Sequence, residues 1–242
     1  MERIKSLLVL LTAVTFAASP FFVTSFAGYD PSLFPIPQID PPVQPAGWAF
    51  SIWGLIYLWL IASAAFGVLA RALDDGWDRP RWPLFGALLL GTFWLGTANA
   101  SPIWATVMIF AMLVLALGAV ARAPARDPWL LSAPIGLFAG WLTAASFASL
   151  GITAAGYGLL MGATGWAIAC VTGALVVGLG VLLTLRPHPT YALALAWALV
   201  AIAVKDWSTH PEVAFLAGLG ALATLAATLR SYVLRAVPTQ AG

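Results

Sequence analysis

Charge is what this chain has least of. Only 8% of its 242 residues are Asp, Glu, Lys or Arg, against about 25% in a soluble domain. A single cysteine, Cys170, excludes an internal disulfide, and it lies in an apolar run where a small packing residue is expected. The two histidines, His188 and His210, fall in expected loops with no Cys or His at ligand spacing, so no metal constellation is readable. No basic cluster suggests nucleic acid. No carboxylate, lysine or histidine stands at the centre of an apolar segment. That argues against a proton-driven pump and leaves no acid–base pair or activated nucleophile for enzyme chemistry. What is abundant instead is apolar: 62% of the residues are hydrophobic and twelve are Trp. The composition is that of an integral membrane protein.

The apolar runs predict an all-α, polytopic bundle of about eight transmembrane helices, near residues 4–26, 47–70, 83–99, 103–121, 129–151, 160–185, 190–206 and 211–234. Pro102 disfavours helix at Ser101, which divides a stretch too long for one crossing. The first segment has a second reading as a signal peptide, with Ser25 and Ala27 as small residues at a cleavage position. Its apolar run is longer than the usual h-region, which favours a retained helix. Gly158 and Gly162, Ala169 and Gly173, and Ala174 and Gly178 are small-residue steps suited to helix packing.

Basic residues collect in cytoplasmic loops. With eight crossings, ten of the eleven Lys and Arg fall on one side, together with both termini, and only Lys205 falls on the other. The expectation is a multi-pass protein of the plasma or inner membrane with cytoplasmic termini. The loop at 27–46 then lies outside. Its six prolines, Pro31, Pro35, Pro37, Pro41, Pro42 and Pro45, forbid regular helix, and it reads either as a plain linker or as a semi-rigid lid.

Residues 41–60, PPVQPAGWAFSIWGLIYLWL, follow that loop. Trp53 and Tyr57 are four apart and share a helix face, with Phe50 on nearly the same side. These rings can wall a pocket for a flat apolar ligand, or form an interfacial aromatic belt. Trp48 suits the belt. Trp53 and Tyr57 lie one to two turns deeper.

The Pro41–Pro42 pair, Trp48, Phe50, Trp53 and Tyr57 resemble the first loop and second helix of the TspO/MBR family, the translocator proteins or tryptophan-rich sensory proteins. Asn99 and Trp104 stand for that family's Asn and Trp on the third helix, and Trp141 and Ser149 for its fifth-helix motif. The resemblance implies a five-helix core over 1–151, with three further helices and a short tail over 152–242, as in an extended, divergent member. It also implies a hydrophobic small-molecule pocket made by Trp48, Phe50, Trp53, Tyr57, Asn99, Trp104, Trp141 and Ser149. The implied ligand is tetrapyrrole (porphyrin or haem) or sterol-like, with no required cofactor. Membrane lipid and a second copy of the chain are the other expected partners. A small-solute permease and a structural assembly partner without a ligand are the alternatives.

Overall fold

The computed structural model describes residues 1–23, 28–185 and 187–236. Ser25, Ala27 and Arg186 lie outside the described residues, as does the side chain of Arg235. Among the described residues the protein is all helix. The long helices are α1 (Glu2–Ala18), α2 (Ile52–Leu69), α4 (Arg81–Ala100), α5 (Pro102–Arg122), α6 (Ser132–Gly156), α7 (Ala163–Thr184), α8 (Thr190–Asp206) and α9 (Pro211–Ala236). A one-turn helix, α3 (Asp75–Asp78), sits between α2 and α4. Six spans are long and apolar enough to cross a membrane: Glu2–Phe21, Gly47–Leu69, Pro102–Arg122, Ser132–Gly156, Ala163–Thr184 and Pro211–Ser231. The protein is an integral membrane protein. α4 and α8 complete the eight long helices. At 17 residues α8 extends about 26 Å, near the thickness of a hydrocarbon core of about 30 Å.

Local chemistry sets the breaks. Ser101 is extended (φ −153°, ψ 106°), its hydroxyl accepts from the Trp104 N–H, and Pro102 occupies the first turn of α5. This is a capped start, so α4 and α5 are two antiparallel helices rather than one kinked rod. α6 differs from the sequence expectation. It runs on to Gly156 instead of stopping near 151. Buried contacts override the weak helix propensity of its Gly- and Thr-rich end. Ile152 is buried, and the Thr153 hydroxyl lies 3.0 Å from that of Thr106. Gly158 and Gly162 consequently lie in the α6–α7 connection and pack no helix pair, and Gly158 supplies a left-handed turn (φ +66°).

Helix α6 is the centre of the bundle. It is 83% buried over its apolar window, against 33–44% for the other five spans. It packs against α2, α5, α7 and α8, while α1 links α2 to α4 and α9 covers α7 and α8. In lipid, close backbone approach is a main source of helix association. A Cβ on Gly140 would lie 2.1 Å from the Tyr191 carbonyl oxygen, so α6 and α8 touch main chain to main chain. Gly173 and Gly178 instead make room for side chains, those of Phe147 of α6 and Leu195 of α8. Thr143 and Tyr191 share a hydroxyl bond of 2.8 Å, and Thr190 donates to the Ala133 carbonyl.

The alternation of helices creates two unlike ends. One gathers the start of α1, α3, and the loops before α4 and α6. There Asp78 accepts from Lys5 and Arg81, Arg71 meets Asp127 at 2.9 Å, and Arg126 meets Asp74 at 2.8 Å. Buried Arg81 also donates to the carbonyls of Glu2, Arg71 and Ala72. The other end holds the proline-rich loop, the α6–α7 connection and the α8–α9 turn.

Candidate functional site

At the loop end, α2, α4, α5 and α6 splay around a cavity of about 50 Å³. Its walls come from five parts of the chain. Phe50 lies in the 3₁₀ segment (Gly47–Ser51) that leads into α2, and Trp53 follows one turn later in α2. Trp94 comes from α4, Ile109 from α5, and Trp141, Ala145, Ala148, Ser149 and Ile152 from α6. The proline-rich loop closes the top with Gly28, Tyr29, Gln44 and Pro45. The loop packs over the cavity rather than running free.

The rings pack edge to face, as their quadrupoles favour. Trp141 lies 6.0 Å from Trp53 at 81° and 5.9 Å from Phe50 at 80°. Trp53 in turn stacks on Tyr57 at 5.4 Å, and Phe16 of α1 packs edge-on against both.

Two indole N–H groups face different fates. Trp94 Nε1 donates to the Ala105 carbonyl at 3.0 Å, a bond that ties α4 to α5. Trp141 Nε1 is buried without a hydrogen-bond partner among the described residues, on a side chain only 2% exposed. An unmade bond of this kind costs about 1–3 kcal/mol, and most buried donors avoid it. The remaining polarity is a ladder of hydroxyls. Tyr29 Oη pairs with Ser149 Oγ at 2.5 Å, Ser149 with Thr106 Oγ1 at 2.7 Å, and Thr106 with Thr153 Oγ1 at 3.0 Å. Burial pushes the Tyr29 phenol above its ordinary range, partly offset by the Ser149 and Thr106 hydroxyls.

Of the residues expected from sequence, the cavity gathers Phe50, Trp53, Trp141 and Ser149 on its wall, with Tyr57 one layer behind Trp53. Three lie elsewhere. Trp48 packs edge-on against Trp197 of α8 and is 46% exposed. Trp104 is 66% exposed on the first turn of α5. Asn99 is half-buried near the end of α4, off the cavity wall. The extended Ser101 reverses the chain between Asn99 and Trp104, so their separation in sequence does not place them on one face.

Sequence reasoning missed Tyr29, Gln44, Trp94 and Ile109. A signal existed for Trp94: Leu84, Ala87, Leu88, Gly91, Trp94, Leu95 and Ala98 form the buried stripe of α4 at helical spacing. None existed for Tyr29, whose irregular loop carries no periodicity and whose place is set by a partner 120 residues away.

A family model described as TSPO-like protein matches residues 36–230, a span that reaches from the lid through α7 and α8 and into α9. Searches of curated proteins and of solved structures find no match.

Proposed function

The chain belongs to the TSPO-like protein family, and from that premise we propose that it binds a flat, apolar small molecule carrying a hydrogen-bond acceptor in the aromatic cavity beneath the lid. A tetrapyrrole is the first candidate and a sterol-like molecule the second. The observation that carries the reading is the buried, unpartnered N–H of Trp141, on a wall it shares with Phe50, Trp53 and Trp94. A ligand acceptor satisfies that donor, and the neighbouring rings offer faces and edges to a planar π-system. The hydroxyl ladder at Ser149 supplies the few polar contacts that orient a ligand in an otherwise apolar site.

The reading is binding rather than catalysis, since the described cavity wall contains no carboxylate, lysine, histidine or cysteine. Volume matters here. About 50 Å³ accommodates one or two waters, whereas sites for small molecules run to roughly 300–1,000 Å³. The described state is therefore a closed one, and entry requires the lid to lift Tyr29, Gln44 and Pro45 away. The positive-inside pattern supports a topology with the arginine-rich end facing the cytoplasm and the lid on the far side of the plasma or inner membrane. Titrating purified protein with a panel of porphyrins and following Trp fluorescence tests the proposal. Saturable, one-site quenching is expected. Quenching that grows linearly with added porphyrin would mean only partition into detergent, and the binding reading would fall.

A further inference from the structure

The lid is not held by the helices that wall the cavity alone. Helix α8 lines none of the cavity, yet it makes a row of contacts to the segment that closes it. Trp197 Nε1 donates to the Ala49 carbonyl at 3.0 Å, and its ring packs edge-on against Trp48 at 4.8 Å. One turn on, the Ala201 carbonyl accepts from the Ala46 N–H. One further turn on, Lys205 Nζ donates to the Pro41 carbonyl at 2.6 Å and to Asp40 Oδ1 at 3.2 Å. At its opposite end α8 is fixed to α6 by Thr190, Tyr191 and the Gly140 contact. The helix thus runs from an anchor in the bundle centre to the lid.

Lys205 is chemically singular. It is the one Lys or Arg among the described residues at the lid end, where Asp30, Asp40, Asp206 and Glu212 also lie. Behind it, Asp206 is almost fully buried, with one oxygen 3.9 Å from Lys205 Nζ and 3.4 Å from His210 Nδ1, and the other without a hydrogen-bond partner among the described residues. That carboxylate draws the ammonium group toward α8. In front, Asp40 stands in the left-handed region (φ 48°), a conformation that costs energy in a non-glycine residue. This bend brings its carboxylate and the Pro41 carbonyl onto the same ammonium group. An ammonium has three donors, and here two of them are spent on the lid.

We propose that Lys205 is the latch of the lid and that α8 is the strut carrying it, so that a helix outside the cavity governs access to it. Lys205 is a positioning residue: it acts on a ligand only through the loop it holds. The latch itself is independent of any ligand, and only its consequence for entry rests on the binding reading above.

Hydrogen–deuterium exchange on the ligand-free protein in detergent tests it, comparing wild type, Lys205→Met and Lys205→Arg. Methionine keeps the apolar stem and removes the charge, while arginine keeps a cation of similar reach. The expected result in Lys205→Met is exchange about tenfold or more faster at the Gln44 and Ala46 amides, the scale of one charge-assisted hydrogen bond. Amides of α6 and of the α8 interior should stay at wild-type rates, and Lys205→Arg should restore most of the lid protection. Unchanged lid exchange in Lys205→Met overturns the latch. So does a rise spread equally over α6, α8 and the lid, which would make Lys205 merely a support of the bundle. The same samples then receive porphyrin, with faster association expected in Lys205→Met. Faster lid exchange with no porphyrin binding in any variant keeps the latch and removes the binding reading.

Discussion

The two ends of the bundle are closed by different chemistry. At the arginine-rich end, Lys5, Arg71, Arg81 and Arg126 each meet a carboxylate, and Trp77 donates to Asp127 as well. These bonds are redundant: Asp78 has two cationic partners, and Arg81 binds three carbonyls besides. At the lid end, the bonds that hold the closure include one phenol on a serine, main-chain bonds from Ile36 to Gly156 and from Ala46 to Ala201, the Trp197 indole on the Ala49 carbonyl, and one lysine. Phe34 reinforces it by packing on Gly156, where a Cβ would meet the ring at 2.3 Å. Removing one contact from a redundant network leaves the others in place. Removing one from a short list changes the population of open states directly. If the proposed ligand enters beneath the loop, the arginine-rich end is the fixed base and the loop end is the door.

The largest effect on stability should come from the base. Arg81→Met leaves the carbonyls of Glu2, Arg71 and Ala72 without this shared buried donor, so although Asp78 keeps Lys5 the loss is about 1–3 kcal/mol. Thermal unfolding in detergent should show a clear fall in midpoint. A change within error would mean that the base is not the fixed end.

Acid should loosen the base next. Burial raises the carboxyl of Asp78, but hydrogen bonds from Lys5 and Arg81 outweigh it and leave it below the ordinary value. Asp127 is lowered by Arg71 and Trp77. A group depressed in the folded state contributes stability above its unfolded value of about 3.9 and loses it as pH falls through the folded value. Stability from these pairs should hold from pH 7 to about 5 and decline below about 4. Asp127→Asn should flatten part of that acid limb. An acid limb identical to wild type would contradict the assignment.

The door should respond more mildly. Tyr29→Phe removes one hydroxyl while Ser149 keeps Thr106 as partner, a loss of about 0.5–1.5 kcal/mol. Exchange should quicken in the lid and stay unchanged around Asp78 and Arg81. Equal loosening at both ends would erase the distinction drawn here.

The sequence showed the helices more clearly than the site. Apolar length and the proline at 102 were enough for eight long helices, because lipid leaves the backbone few alternatives. Trp53 and Trp141 were legible as a pair only through resemblance to a family motif, since nothing in periodicity joins α2 to α6. Trp48 and Trp104 carry the same residue type but are 46% and 66% exposed. Trp94 lies on a stripe readable at helical spacing, whereas Asn99 and Trp104 match the family's residue types but lie off the cavity wall. The role of Lys205 was half visible: as the single cation on its side it stood out by charge, but its partner at Pro41 lies 164 residues away.

The smallest effect on stability carries the most weight. Trp141→Phe removes an indole whose N–H has no partner among the described residues, so unfolding in detergent should change little. Trp94→Phe, which breaks the bond to Ala105, should lower it. Porphyrin titration of wild type, Trp141→Phe and Trp94→Phe is the most direct test of the central claim. Affinity should weaken roughly 3- to 10-fold in Trp141→Phe, the worth of one hydrogen bond, with the fold intact. Equal affinity in wild type and Trp141→Phe, or no saturable quenching in wild type, would contradict it.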